Sequence, residues 1–459
     1  MSERIFGTDG VRGKANDKLT AKLALELGMA AGKWIHDHPD TGEKRPFVIV
    51  GRDPRLSGDM LEAALSAGLA SMGVDVRLVD VIPTPGVSQL VISQGAAAGV
   101  VLSASHNPYQ DNGIKFFGRD GKKLHDSIED NISDLLDNVA SFTLPMDDNI
   151  GFVHFVPELT QEYATLVKAT VADFGEKPLG GLKLVMDCAN GAAYRLGPEI
   201  YHDLGAEVTV LSDAPDGINI NANCGSTKTK TMREKTRELG ADAGIAFDGD
   251  ADRVMLSDSE GNEVDGDQMM AMIALNLKRK EKLTGNMVVA TIMSNLGLEK
   301  ALEEAGTLLH RTQVGDRYVS QAMDELGAVV GGEQSGHILL PSITPTGDGM
   351  VTALQVLAIM HETGKSLSEL AGVVRKYPRK LVGLKVQNLK GWDKDAEIQA
   401  AIKQTEQRVG KPIWVSVRAS GTEPLIRVMV QDDSMSQAEV DKTVEDMSEV
   451  IYRKLGKAK

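Results

Sequence analysis

The chain has 459 residues, 42% of them apolar and 25% charged, with a formal net charge of −15. That length exceeds one hydrophobic core and implies roughly three or four domains of about 100–200 residues. The acidic balance argues against a broad electrostatic footprint for nucleic acid or an anionic membrane, although a local basic pocket could still take an anionic substrate. Two cysteines, Cys188 and Cys224, provide no disulfide framework and point to a reducing compartment. The opening MSERIFGTDG lacks the apolar stretch of a signal peptide, and no apolar run approaches the ~20 residues that span a bilayer. The expected location is the cytoplasm, with no nucleic-acid or membrane partner.

In chain order, FVIVGRD opens a short apolar strand at Phe47. A helical pattern follows, ends in the glycine step LASMGVDV, and leads to a second strand that runs out into AAAGVVLSASHNP. The plan recurs from Leu182, with LKLVMDCANG, YHDLGAEV and GADAGIAFDGDADR. It recurs again from Met287, with MVVATIMSN, LEEAGTLL and GAVVGGEQSGH. Strands alternating with helices make α/β units, and a repeat of about 100 residues is too long for a solenoid. The pattern predicts three copies of one α/β domain with mixed sheets. A smaller α+β domain follows, because Leu381–Lys459 reads strand, helix, strand, strand, helix.

Joints are expected near Ser141–Glu158, Ser257–Gln268 and Val374–Gly383. These give units 1–150 (serine loop), 151–262 (acidic loop), 263–375 (GEQSGH loop) and 376–459. Open α/β sheets build sites outside the carboxyl ends of their strands. All three polar clusters fall there, and copies arranged around one cleft would bring them together.

Each cluster carries its own chemistry. In extended backbone, alternate residues share a face, so Asp248, Asp250 and Asp252 of DGDADR would converge. Carboxylates that close favour a hard divalent cation, Mg²⁺ or Ca²⁺. An EF-hand is excluded, since Arg253 takes the glycine place and Ser259 the twelfth. Arg253 could hold an anion beside the metal; the alternative is an acidic surface loop.

In GGEQSGH, Glu333 and Ser335 suit sugar hydroxyls and His337 could move a proton near neutral pH. A plain polar turn accounts for that stretch equally well. RASGTEPLIR offers Arg418, Ser420, Gly421, Thr422 and Arg427 as an anion cradle. Ser420 and Glu423 also fit a capping box, but Pro424 and LIRVMV read as strand. No Walker A motif occurs.

Ser105 and His106 sit in SASHNP without a nucleophile elbow, and in an extended chain His106 would point away from Ser105. By itself the stretch is a turn or a reactive site. Arg12 and Lys115 are further cations that could hold an anion, although a solvated surface is their usual place. Together the inventory suits phosphoryl transfer on a phosphosugar, with a serine carrying the phosphoryl.

Six motifs in one order resemble the α-D-phosphohexomutase family over essentially the whole length: FGTDGVRG, SASHNP, DNGIKFF, DGDADR, GEQSGH and RASGTEP. GINI…NCGST, VGDRYV and the glutamine of GEQSGH resemble its bacterial glucosamine-phosphate branch. Ala251 stands where glycine is usual in the family, and Lys228 where histidine is common in the branch.

The resemblance implies four domains around a central cleft and a phosphorylated Ser105. Mg²⁺ would be held by Ser105, Asp248, Asp250 and Asp252. Arg253, His106 and Arg12 would line the reaction centre, with Lys115 and His337 as proton carriers. Glu333 and Ser335 would grip the sugar, and Arg418, Ser420, Gly421, Thr422 and Arg427 the phosphate that is not reacting. The implied reaction interconverts glucosamine 6-phosphate and glucosamine 1-phosphate. Glucosamine 1,6-bisphosphate (or glucose 1,6-bisphosphate) would serve as activator and intermediate, in a homodimer supplying amino-sugar nucleotide and cell-wall precursors. Glucose or mannose phosphates are the alternative substrates, and a Mg-dependent phosphosugar phosphatase the alternative activity.

Overall fold

A computed structural model describes residues 5–457 apart from 8–9, 40–44, 411–413 and 420–424. Four sheets follow one another along the chain. The first contains β1 (Val11–Lys14), β2 (Phe47–Arg52), β3 (Asp75–Val81), β4 (Ala98–Leu102), β5 (Asp111–Phe117) and β6 (Val153–Phe155). The second contains β7 (Lys183–Asp187), β8 (Glu207–Leu211), β9 (Ala243–Phe247), β10 (Val254–Asp258) and β11 (Glu263–Val264). The third contains β12 (Met287–Thr291), β13 (Leu308–Thr312), β14 (Gly331–Gly332) and β15 (Ile338–Leu339). The fourth contains β16 (Arg379–Lys385), β17 (Val415–Ala419) and β18 (Leu425–Gln431).

The three-fold repeat is visible in strand order. The sets β5-β4-β2-β3, β10-β9-β7-β8 and β15-β14-β12-β13 share one topology. In each, three parallel strands are followed by an antiparallel return. The third parallel strand, β4 or β9, is an unbroken apolar run buried on both faces, as central strands covered by helices are. The polar cluster of each copy fills the turn between that strand and its return. The sequence therefore places all three clusters at the same topological point.

Within the expected joint Ser141–Glu158, Val153–Phe155 is not linker but β6, which extends the first sheet beside β3 and past residue 150. All three of its residues are exposed, so no buried alternation marked it as a strand. The tail forms three antiparallel strands and two helices, Ala396–Val409 and Gln437–Leu455, in the order read from the sequence.

One hydrophobic core runs through the first three units. It joins Ile49, Val87 and Leu90 to Leu184 and Ile245 and to Leu354 and Leu357. The fourth sheet has a core of its own, to which the preceding units add only Leu296 among its buried members. Its attachment is largely polar. Asn295 Nδ2 donates to the Tyr377 carbonyl at 3.1 Å, while Asn295 Oδ1 accepts from the Tyr377 N–H at 3.0 Å. Gln431 Oε1 accepts from the Leu296 N–H at 2.9 Å. Carboxamides pinned to backbone thus hold the joint beside the single apolar contact of Leu296.

Candidate active site

The turn after β4 places Ser105 in the left-handed region, φ +51°. Its N–H donates to Ser103 Oγ at 2.9 Å, and Ser103 Oγ donates to Asp53 Oδ2 at 2.6 Å. Ser103 is thereby committed to the turn. Ser105, 1% exposed, aims its hydroxyl the other way and donates to Asp248 Oδ2 at 2.6 Å. His106 does not point away from Ser105, because the turn is not extended: its Nδ1 lies 3.3 Å from Ser105 Oγ and 3.3 Å from Arg253 Nη1.

Burial, reinforced by Arg253 and Arg12, lowers the His106 pKa to about 4. The imidazole is neutral at pH 7. The unfolded chain protonates near 6.5 and the folded chain only near 4, so the folded state loses stability as pH falls through that window. His106→Gln is expected to remove that part of the acid sensitivity, as read by paired thermal melts from pH 7 to pH 4.

A residue the sequence did not single out holds this turn together. Arg55 is buried, donates from Nε to Asp53 Oδ2 at 2.8 Å, and reaches four carbonyls. Its Nη2 meets those of Ser105 and Asn107 at 2.8 and 2.9 Å, and its Nη1 those of Pro108 and Asp111. Asn221, from the second unit, also donates to the Ser105 carbonyl at 2.9 Å. The only signal in the sequence was GRDPR, a charged pair around a proline at a strand's carboxyl end.

Asp248, Asp250 and Asp252 converge, with one oxygen of each within 4.8 Å of the others. They do so by a route other than the one predicted. The segment is a turn closed by the Ala251 N–H on the Asp248 carbonyl at 3.1 Å, with Ala251 at φ +57°. A Cβ on Gly249 would fall 2.6 Å from the Ser105 carbonyl, so glycine there lets the acidic turn lie against the serine turn.

Burial, then Asp252 and Asp250, pushes the Asp248 carboxyl well above the usual range. Asp252 is buried too, but Lys115, His337 and Arg253 hold it well below. Carboxylates this close repel one another and favour a cation among them. Asp250 Oδ1 and Asp252 Oδ1 are buried and accept no hydrogen bond among the described residues. This all-oxygen set with two buried acceptors left over matches a hard divalent ion. Lys115 Nζ lies 2.9 Å from Asp250 Oδ2 and 3.7 Å from Asp252 Oδ2, buried against both.

The third turn closes the β14–β15 hairpin. Glu333 Oε1 accepts from the Gly315 N–H at 3.2 Å, and Ser335 Oγ stands 3.5 Å from Glu333 Oε2. Gln334 faces elsewhere: its Nε2 donates to Asp265 Oδ2 at 3.2 Å, and its Oε1 accepts from Arg379 Nη1 at the root of the fourth sheet. His337 is buried with Nδ1 3.8 Å from Asp252 Oδ1. Burial opposes its charge, but the Asp252 carboxylate outweighs burial and raises the pKa to about 9.

A cleft of about 640 Å³ is lined by His106, Arg253, Glu333, Ser335, Arg418 and Arg427. Arg379, Asp265 and Thr291 also line it, and no sequence motif pointed to them. His337 lines a different groove, between the first and third units. Arg418 and Arg427 are direct cross-strand partners on β17 and β18. Like charges in that position repel, so the pair calls for an anion between or beside them. The other predicted cradle residues, Ser420, Gly421 and Thr422, lie outside the described residues. Arg12, on β1, reaches past Gly113 and acts on the His106 ring through its charge.

Four family profiles match the chain in order. They are the phosphoglucomutase/phosphomannomutase alpha/beta/alpha domains I, II and III, over residues 3–142, 161–261 and 265–377, and the C-terminal domain over 381–450. The chain belongs to this family, the α-D-phosphohexomutases, and is an intramolecular phosphotransferase of the isomerase class.

Phosphoglucosamine mutase of Desulforamulus reducens is 49% identical, covering 98% of this chain and 99% of that protein. The phosphoglucosamine mutase of Mesorhizobium japonicum is 47% identical, covering 98% of each. Among solved structures, a phosphoglucomutase/phosphomannomutase family protein of Burkholderia thailandensis superposes with a TM-score of 0.80 at 23% identity, covering 99% of this chain and 98% of that one. Aspergillus fumigatus N-acetylphosphoglucosamine mutase in complex with GlcNAc-6P and magnesium gives 0.64 at 18% identity, covering 97% and 95%. At these identities the two structures speak for the fold.

Proposed function

We propose that the chain interconverts glucosamine 6-phosphate and glucosamine 1-phosphate through phosphorylated Ser105 and a 1,6-bisphosphate. One observation carries this reading. A buried serine hydroxyl lies 2.6 Å from an aspartate of an all-oxygen cation site, and the adjoining cleft carries two arginines set directly opposite each other. A hydrolase needs one phosphate site; a mutase needs a second, for the phosphate that is not reacting. The choice of glucosamine rests on the relatives' names and on the branch motifs.

Asp248, Asp250 and Asp252, with a phosphoryl oxygen on Ser105, would hold Mg²⁺. When bound, the ion neutralises charge on the group in transfer. Arg253 and Arg12 add positive charge beside the serine, and neutral His106 accepts a hydrogen bond from Arg253 there. Glu333 and Ser335 orient the sugar through its hydroxyls. Arg418 and Arg427, with Ser420, Gly421 and Thr422, grip the distal phosphate.

Ser105 gives its phosphoryl to the 1-hydroxyl, the bisphosphate turns around, and Ser105 takes back the phosphoryl from position 6. On this reading Lys115 and His337, both held on the aspartates, carry the proton transfers. The separate core of the fourth unit and its polar joint allow that unit to open for the sugar.

We also place the chain as a homodimer in the cytoplasm. Both cysteines are free and buried, as in a reducing compartment. No helix among the described residues is long and apolar enough to cross a membrane.

The test uses chain phosphorylated on Ser105, with Mg²⁺ and glucosamine 6-phosphate, followed by ³¹P NMR. Glucosamine 1-phosphate with little inorganic phosphate is expected. Stoichiometric inorganic phosphate would mark a phosphatase. Faster conversion of glucose or mannose 6-phosphate in parallel tubes would move the assignment to those sugars.

A further inference from the structure

We propose that Thr84 is a positioning residue for the cation site, turning Asp250 so that it offers the ion one oxygen; this rests on the metal reading given above. Thr84 opens the helix Thr84–Gln94 of the first unit and is 3% exposed. Its Oγ1 donates to Asp250 Oδ2 at 2.7 Å, and its N–H donates to the Asp250 carbonyl at 2.9 Å. Side chain and backbone of the same aspartate are thus fixed from across a domain boundary. Lys115 Nζ donates to the same Oδ2 at 2.9 Å. Two donors therefore fill Oδ2, while Oδ1 is buried with no hydrogen bond among the described residues.

The consequence is a preference between ions. Mg²⁺ demands near-octahedral geometry and short bonds, which single carboxylate oxygens supply. Ca²⁺ is larger, takes more oxygens and readily accepts both oxygens of one carboxylate. Blocking Oδ2 denies Asp250 the two-oxygen mode. Thr84 suits this task better than Lys115 does alone. Its hydroxyl sits on a short side chain, on a residue whose own N–H is bonded to the Asp250 carbonyl, whereas the long Lys115 side chain carries an ammonium shared with Asp252 at 3.7 Å.

Mg²⁺ alone and Ca²⁺ alone are titrated calorimetrically into the full, chelator-treated chain as wild type, Thr84→Ser, Thr84→Val and Thr84→Ala. Removing a group that orients a metal ligand typically costs about 10–100-fold in affinity, so Thr84→Val should bind Mg²⁺ that much more weakly. Ca²⁺ affinity should change by less than about threefold, and Thr84→Ser should keep both within about threefold of wild type. Thr84→Ala carries the same expectation if the valine variant does not fold by circular dichroism. An unchanged Mg²⁺-to-Ca²⁺ ratio in the folded variants, including equal weakening of both ions, overturns the role of Thr84. A wild-type chain that binds neither ion overturns the metal reading itself, and this proposal with it.

Discussion

Ser105→Ala is expected to lower mutase turnover by at least about 10⁴-fold, since loss of a covalent carrier removes the route itself. The chain should still fold. Alanine meets the same left-handed backbone as serine, and the Arg55 and Asn221 bonds to the residue 105 carbonyl do not involve the side chain. What is lost is one donor to Asp248 Oδ2, at a cost of about 1–3 kcal/mol for a buried acceptor left unpaired. The measurement is formation of glucosamine 1-phosphate, with intact mass spectrometry to show that the variant takes up no phosphoryl. Turnover near wild type, with no bisphosphate added, would sink the carrier assignment. Ser103→Ala provides the contrast: Ser103 serves only the turn, so its loss should slow the enzyme without stopping it.

The second large effect is expected at Arg55. Replacing it with alanine removes the cation paired with the buried Asp53 carboxylate and leaves the carbonyls of Ser105, Asn107, Pro108 and Asp111 without that donor. Breaking a buried pair from one side typically costs about 3–5 kcal/mol. The molecules that remain folded should turn over at least about 10²-fold more slowly, because a small misplacement of the reacting oxygen is that costly. Arg55→Lys should not rescue, since one ammonium cannot reproduce a planar fork bonded on several sides. Adding Asp53→Asn to the alanine variant should recover part of the stability but not the rate. Urea melts and initial rates on the same preparations check both. Recovery of rate with stability would mean that Arg55 acts on folding alone.

Much of the architecture was legible because strand, helix and glycine step recur in one order three times, and because the clusters close the same strand of each copy. Convergence of the three aspartates was foreseen from an extended backbone, yet it comes from a turn with Ala251 at positive φ. The error about His106 has the same origin: a left-handed residue redirects its neighbour, and only glycine or asparagine announces such a residue in a sequence. Thr84 and Arg55 were invisible for another reason. Thr84 meets an aspartate 166 positions away, and Arg55 meets carbonyls 50 to 56 positions away. Local pattern carries no information at that range. β6 escaped because its residues are all exposed.

The turn that holds Ser105 has a consequence for how the protein would come to be charged. Its carbonyl is fixed by Arg55 and Asn221, and its hydroxyl faces the acidic turn rather than the outer surface. On the reading proposed above, the hydroxyl that takes the phosphoryl is itself buried beside the acidic turn, so a donor small enough to enter the cleft reaches it more readily than a macromolecule does. A newly made chain is then inert until a small phosphoryl donor, such as a sugar bisphosphate, supplies the group, and a phosphorylated chain that lets its bisphosphate escape supplies one for another. Activity would then pass from molecule to molecule like a lit wick.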